Sequence, residues 1–523
     1  MNLVEDRHGR KSLKEVPAGA RLKSYKTLIL ISISILLVFI GYVWFISLGL
    51  WTDWPPVSNY EGYYDELAVA FQHGSLSLKI QPSPELLALH DPYDPSVRHS
   101  NNVIYPIDFS LYKGKYYLYF GPVPALFLLA ARLFGSGKID DNYFVFVFIS
   151  GMFIFQSLLL IKLWKRFSKN VPGWMLSLCI LFCGFMSPIP WLLTDARVYE
   201  AASAGGQFFF LAGLYFAVSA LDRPSVSIRN CLIAGISWAL AIGTRLTQIV
   251  PVGFMVIMVM FGIVQTYFRS RPASKPVYPL VLLCLPLAVG LALLGWYNWA
   301  RFNSVFETGF YYELAGPFLQ KYSHALFSPL YLFPNLYNYL VMRPKTGMAF
   351  PFVQSASGSG AIKFSFISLP AIYHEGAITG ILSSTPFALF AAIPVLWFLF
   401  RKKENKGRAE STHDANFFNW VIISLSGSFL FGFAPIVLYF FVETRFVADF
   451  ISAPILLSIV GFWQGYGLLS HKPMVSKLYG GLGILLMAVS VIISVLLALS
   501  GHAEQFQQFN PILWNHLAGL FSR

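Results

Sequence analysis

Charge is scarce in this sequence. Only 12% of its 523 residues are Asp, Glu, Lys or Arg, about half the share of a soluble chain. Cysteine is rarer still. All four, Cys179, Cys183, Cys231 and Cys284, lie within apolar runs. That excludes a disulfide framework and a cysteine zinc site. Motifs of soluble enzymes are missing too: the sequence has no Walker loop, no GxGxxG after a strand, no GxSxG and no HExxH. Nucleotide cradles, nucleophile elbows and zinc-protease helices are thereby excluded. His73, His90, His99, His324 and His374 show no ligand-like spacing, so no metal ligand is assigned. A net charge of +13 raises nucleic acid as a partner, but its distribution along the chain follows membrane topology instead.

What the sequence has is long apolar runs, with 56% hydrophobic residues. Runs near the length of a bilayer crossing mark a polytopic, all-α membrane protein. About eleven spans are expected, at 27–50, 143–164, 173–191, 201–220, 230–248, 249–268, 277–299, 377–400, 416–441, 448–466 and 478–499. The first follows a basic head at 1–26 and precedes no small-residue cleavage site, so it reads as an uncleaved span with the N-terminus inside.

Basic segments at 162–169, 269–271 and 401–408 fall on one side only if the apolar stretch 118–135 does not cross. The inner side then holds 23 Lys/Arg against 7 Asp/Glu, and the outer side 15 against 18. This satisfies the positive-inside rule. The stretch 118–135 therefore reads as an in-plane or dipping helix inside a long outer loop, 51–142. Spans two to seven follow over 143–299. A second long outer loop spans 300–376, spans eight to eleven lie within 377–499, and 500–523 is an outer tail. The Ser/Gly run 355–360 reads as a flexible part of the second loop.

Ten of the 25 acids lie in the 51–142 loop: Asp53, Glu61, Asp65, Glu66, Glu85, Asp91, Asp94, Asp108, Asp140 and Asp141. Glu61 and Asp65 are four apart, on one face if the segment is helical. The same spacing also fits a solvated face of an interfacial helix. Asp195, Arg197 and Glu200 end the third span, where charges need partners or water. Arg245, Arg301, Glu307, Arg343, Lys345, Glu443, Arg445 and Asp449 fall at the same face. Each alone fits a topological or structural role; together they form a polar patch on which a site could be assembled.

In architecture the chain resembles the GT-C membrane glycosyltransferases, which include protein O-mannosyltransferases and aminoarabinose transferases. That family opens its first outer loop with an acidic pair and a short helix carrying an aromatic, an alanine and a closing glycine. Glu61, Tyr64, Ala68 and Gly74 fall on the second acid, the aromatic, the alanine and the glycine. Tyr60 stands where the family has its first acid, so the resemblance implies that the catalytic role passes to Glu61 or Asp65, or that the chain is not an ordinary member. The Pro-containing in-plane helix is resembled by residues 121–134, and the acid after the third span by Asp195 or Glu200.

The resemblance implies a lipid-linked donor, a sugar on a polyprenyl phosphate, that reaches the site through the lipid bilayer. It implies an acceptor in a cell-envelope glycan, lipid or protein, and inversion at the anomeric carbon. It also implies a multi-pass protein of a bacterial inner or plasma membrane, active outside the cytoplasm. Glu61 or Asp65 would be the base, with Asp195 or Glu200 placing the acceptor. Lys115, Arg197, Arg301, Arg343 and Arg445 are candidates for the donor phosphate and Tyr64 for substrate contact; need for a divalent metal stays open. A transporter or flippase of lipid-linked saccharides, or a non-catalytic protein of glycan assembly, is the alternative. A transporter favours inverted repeats and mid-membrane charges, and the sequence has neither.

Overall fold

In a bilayer every peptide N–H and C=O must find a partner within the chain, so apolar runs fold as helices. The computed structural model describes residues 3–5, 11–13, 18–57, 62–135, 137–168, 170–223, 225–270, 276–357, 368–400, 411–502 and 504–521. Among them, seven helices are long and apolar enough to cross a membrane: Tyr25–Ile46, Asp141–Phe167, Val198–Leu221, Leu246–Phe268, Val277–Phe302, Asp414–Val437 and Pro473–Ser500. The protein is an all-α, multi-pass membrane protein with short two-stranded pairs in its connections.

Two of the expected spans are interrupted. The run 173–191 divides into Gly173–Phe185 and Ile189–Thr194 around Pro188. The run 377–400 begins as a strand, Ala377–Ile378, and passes through Ile381–Ser384 and a 3-10 turn, Pro386–Ala391, before Ala392–Phe400. Proline supplies no N–H and crowds the preceding turn, which hydropathy does not register. The run 448–466 starts later, at Ser452, after a 3-10 turn over Thr444–Asp449.

Ile228–Thr244 packs against both Val198–Leu221 and Val277–Phe302, and Asp141–Phe167 packs on Val198–Leu221. Small residues permit these approaches. A Cβ at Gly235 would lie 2.3 Å from the Leu283 carbonyl oxygen of the facing helix.

The 51–142 loop is tied to the bundle at the start of its first helix, Tyr63–Gln72. Asp141 accepts from the N–H groups of Gly62, Tyr63 and Tyr64 at 3.1, 2.9 and 3.3 Å. These are the unpaired donors of a helix start, and a carboxylate there also meets the helix dipole. An antiparallel hairpin follows, Phe109–Tyr112 with Lys115–Leu118. Lys113 and Gly114 turn it with positive φ, 48° and 71°, the geometry of a two-residue hairpin turn.

The chain then enters the helix Val123–Leu133. Its 11 residues reach about 17 Å, against about 30 Å for a hydrocarbon core. It packs on Tyr63–Gln72 and touches Ile228–Thr244. The second long loop joins the hairpin: Leu314 N–H donates to the Phe109 carbonyl at 2.9 Å, and Ser110 bridges Glu313. Arg98 adds a further tie, donating to the carbonyls of Pro92 (2.7 Å) and Ala315. Of the Ser/Gly run 355–360, residues 358–360 lie outside the described residues, and Ala356–Ser357 pairs as a strand with Ala377–Ile378.

Candidate active site

A cavity of about 460 Å³ opens where the two long loops meet the ends of the helices. Asp108 and Tyr119 flank the hairpin on one side, and Glu313 comes from the second loop. Arg245 and Arg301 lie at helix ends, and Arg445 on the turn before Ser452–Leu468. Aromatic and aliphatic groups, among them Phe120, Tyr199, Ile242 and Leu294, complete the wall. Gly121 has no room for a side chain: a Cβ there would meet the Gly243 carbonyl oxygen at 2.1 Å. Backbone thus presses on backbone at the cavity edge.

Asp108 is 8% exposed, with φ at 66° in the left-handed region. Non-glycine residues adopt it at a cost, and such residues cluster at functional sites. Its carboxyl lies within hydrogen-bonding reach of that of Glu313, itself 7% exposed. Burial pushes Asp108 above its ordinary range, while the bond to Glu313 and the charges of Arg445 and Arg197 pull the other way. Burial also pushes Glu313 well up, and the Asp108 charge and the shared bond push it further.

Arg445 is fixed on its other side. It forms an ion pair with Glu443 at 2.8 Å and stacks over Tyr199, 4.0 Å from the ring centre. Burial opposes its charge, but Glu443, Glu200, Tyr119 and Asp108 outweigh that and hold it protonated. Arg245 pairs with Asp449 at 3.1 Å, and Thr247 donates to the same carboxylate oxygen at 3.1 Å. Arg301 serves the frame of the cavity. It donates to Leu118 O (2.7 Å), Asn298 Oδ1 (2.9 Å) and Thr308 O (3.3 Å), and lies 3.8 Å from the Tyr297 ring centre.

The described residues among the candidate bases and substrate contacts of the sequence divide into three groups. Arg301 and Arg445 line the cavity. Asp195, Arg197 and Glu200 stand beside it as one network. Arg197 pairs with Asp195 and, at 3.7 Å, with Glu200; Gln505 donates to Asp195 at 3.0 Å. Glu200 reaches Arg445 electrostatically, and His502 sits 3.6 Å from Glu443. Asp65, Tyr64, Lys115 and Arg343 do not line the cavity. Asp65 is buried and bound by Arg132, with Nε donating at 3.1 Å, and by Ile139 N–H at 3.3 Å. Tyr64 packs on Phe120 and Phe144. Lys115 and Arg343 are exposed. Glu61 lies outside the described residues.

Glu313 was not singled out by the sequence, and Asp108 appeared there only among ten loop acids. The Lys113-Gly114 pair between alternating aromatics marks the hairpin that places Asp108 beside Tyr119. No comparable signal marks Glu313, whose role depends on pairing between distant loops. Among the described residues, no group of three His, Cys, Asp or Glu is placed to hold a metal ion.

No family model matches the chain, and no curated protein matches its sequence. Among solved structures it is similar to the crystal structure of the Archaeoglobus fulgidus oligosaccharyltransferase in its apo form, with a TM-score of 0.43 and 13% identity. The match covers 93% of this chain and 56% of that one.

Proposed function

We propose that the protein is a membrane glycosyltransferase, moving a sugar from a polyprenyl-phosphate carrier to an acceptor hydroxyl outside the cytoplasm. The acceptor belongs to an envelope glycan, a lipid or a protein. One observation carries this reading: a single cavity, at the junction of loops and span ends, holds a buried carboxyl pair together with Arg445. Its apolar wall suits the proximal end of a lipid carrier, and its aromatic rings suit a sugar face.

The chemistry follows from those groups. The acceptor oxygen bonds to the anomeric carbon and its proton passes to the Asp108 carboxylate. The bond between the anomeric carbon and the phosphate oxygen breaks, and its electron pair stays on the lipid phosphate. Arg445 meets that growing charge, since a guanidinium fork donates two parallel bonds to phosphate oxygens. Asp195, Arg197 and Glu200 hold the arginine side of the site in place. Glu61 is the rival proton acceptor, proposed from the family resemblance.

Deleting the gene and restoring it as wild type, Asp108→Asn or Glu61→Gln tests both assignments. The readout is mass analysis of surface glycans and lipid-linked sugars. Asp108→Asn fails to restore the glycan if Asp108 is the base. Restoration by Asp108→Asn with failure of Glu61→Gln transfers the role to Glu61. An unchanged profile in the deletion strain removes the glycosyltransferase reading altogether.

A further inference from the structure

The cavity carboxyls come from different loops, yet backbone bonds hold them together. Leu314 N–H donates to Phe109 O at 2.9 Å, and Ser110 and Glu313 form an antiparallel bridge. Asp108 immediately precedes that strand, so its side chain and that of Glu313 share one wall. Both are nearly excluded from water. Among the described residues, no basic side chain forms an ion pair with either at 4.0 Å or less. The charges of Arg445, Arg197 and Glu443 act on Asp108; that of Arg445 acts on Glu313, which in turn acts on Tyr119 and Tyr439.

Two carboxyls this close and this dry cannot both be ionised. A hydrogen bond between them also requires a proton, because an ionised carboxylate only accepts. Asp108 is the more acidic type and feels the charge of two arginines, against one for Glu313. We infer that Glu313 carries a proton at neutral pH and donates it in a hydrogen bond to Asp108. The cavity is thereby left with one carboxylate charge, in the field of Arg445 on the same lining. Glu313 is a positioning residue: it occupies one lone pair of Asp108 and leaves the others to a hydroxyl in the cavity. Its consequence for transfer rests on the function proposed above; its protonation does not.

Infrared spectroscopy of the purified full chain in lipid nanodiscs reads that proton directly. Wild type and Glu313→Gln are compared at neutral pH, each with and without carbon-13 at the glutamate carboxyls. The expected result is that Glu313→Gln removes one protonated-carboxyl C=O band, and that this band moves on glutamate labelling. Loss of no band overturns the inference, and so does loss of a band that glutamate labelling leaves in place, since the proton then sits on Asp108.

Complementation supplies a second readout. Glu313→Ala lowers glycan formation about tenfold or more, the effect of losing a hydrogen bond to a charged group. Glu313→Gln, which still donates, recovers part of it. Equal loss in both variants, with normal folding, overturns the positioning role. If the bands behave as expected while Asp108→Asn restores the glycan, the shared proton stands and the transfer reading falls.

Discussion

The N–H of Leu314 donates to the carbonyl of Phe109 at 2.9 Å, and through that bond one long loop closes onto the other. Each loop alone carries half of a carboxyl pair. Asp108 precedes the hairpin strand and Glu313 precedes Leu314, so the pair exists only while the loops are joined. Asp108, with φ at 66°, stands immediately before that junction.

Asp65→Asn tests the separation of stability from chemistry. Arg132 would keep its charge, with its side chain 17% exposed, beside a neutral amide. Breaking a buried pair from one side costs about 3 kcal/mol or more. Thermal unfolding in detergent is expected to show a clear fall in midpoint. An unchanged midpoint would mean that the pair with Arg132 adds nothing to the fold.

Arg445 is expected to tolerate no replacement. Lysine keeps the charge but loses the planar fork and the stacking on Tyr199. Arg445→Lys should lower transfer about tenfold, and Arg445→Ala by more, since the alanine also removes the charge paired with Glu443. Equal activity of Arg445→Lys and wild type would remove the two-bond contact with phosphate.

Gly121→Ala places a methyl against the Gly243 carbonyl oxygen, where a Cβ would stand at 2.1 Å. Both partners are backbone, so the cavity edge must shift. Overpacking of this kind costs about 1–3 kcal/mol. Lower thermal stability together with reduced transfer is the expected outcome; wild-type values for both would place the edge elsewhere.

The pH dependence of transfer has a definite sign. Asp108 must be ionised to accept a proton, and burial raises its pKa above the ordinary carboxylate range. Transfer should therefore be lost on acidification at a higher pH than the value of about 4 typical of a free Asp. A profile that stays flat down to that value would exclude Asp108 as the base.

Much of the bundle was legible because apolar runs and helix lengths carry the same information. For the stretch 118–135, the Lys and Arg at 162–169 gave the expectation of a helix that does not cross, and the structure gives that stretch a helix of 11 residues, Val123–Leu133. The interruptions at Pro188 and before Ala392 were not legible, because proline leaves hydropathy high while removing a helix donor. At the site, Arg301 and Arg445 were found as charges at span ends. Asp65 stood out by its spacing from Glu61, yet the spacing carries no sign of Arg132, which comes from another helix. Glu313 depends on a bridge between loops far apart in the chain, and such a bridge leaves no local pattern.

The most direct measurement is the lipid-linked sugar pool in cells whose only copy of the protein is Asp108→Asn. The expected result is that the charged polyprenyl-phosphate sugar accumulates, that the acceptor remains unmodified, and that the protein stays at its wild-type level in the membrane. A wild-type sugar pool with a fully modified acceptor would contradict it.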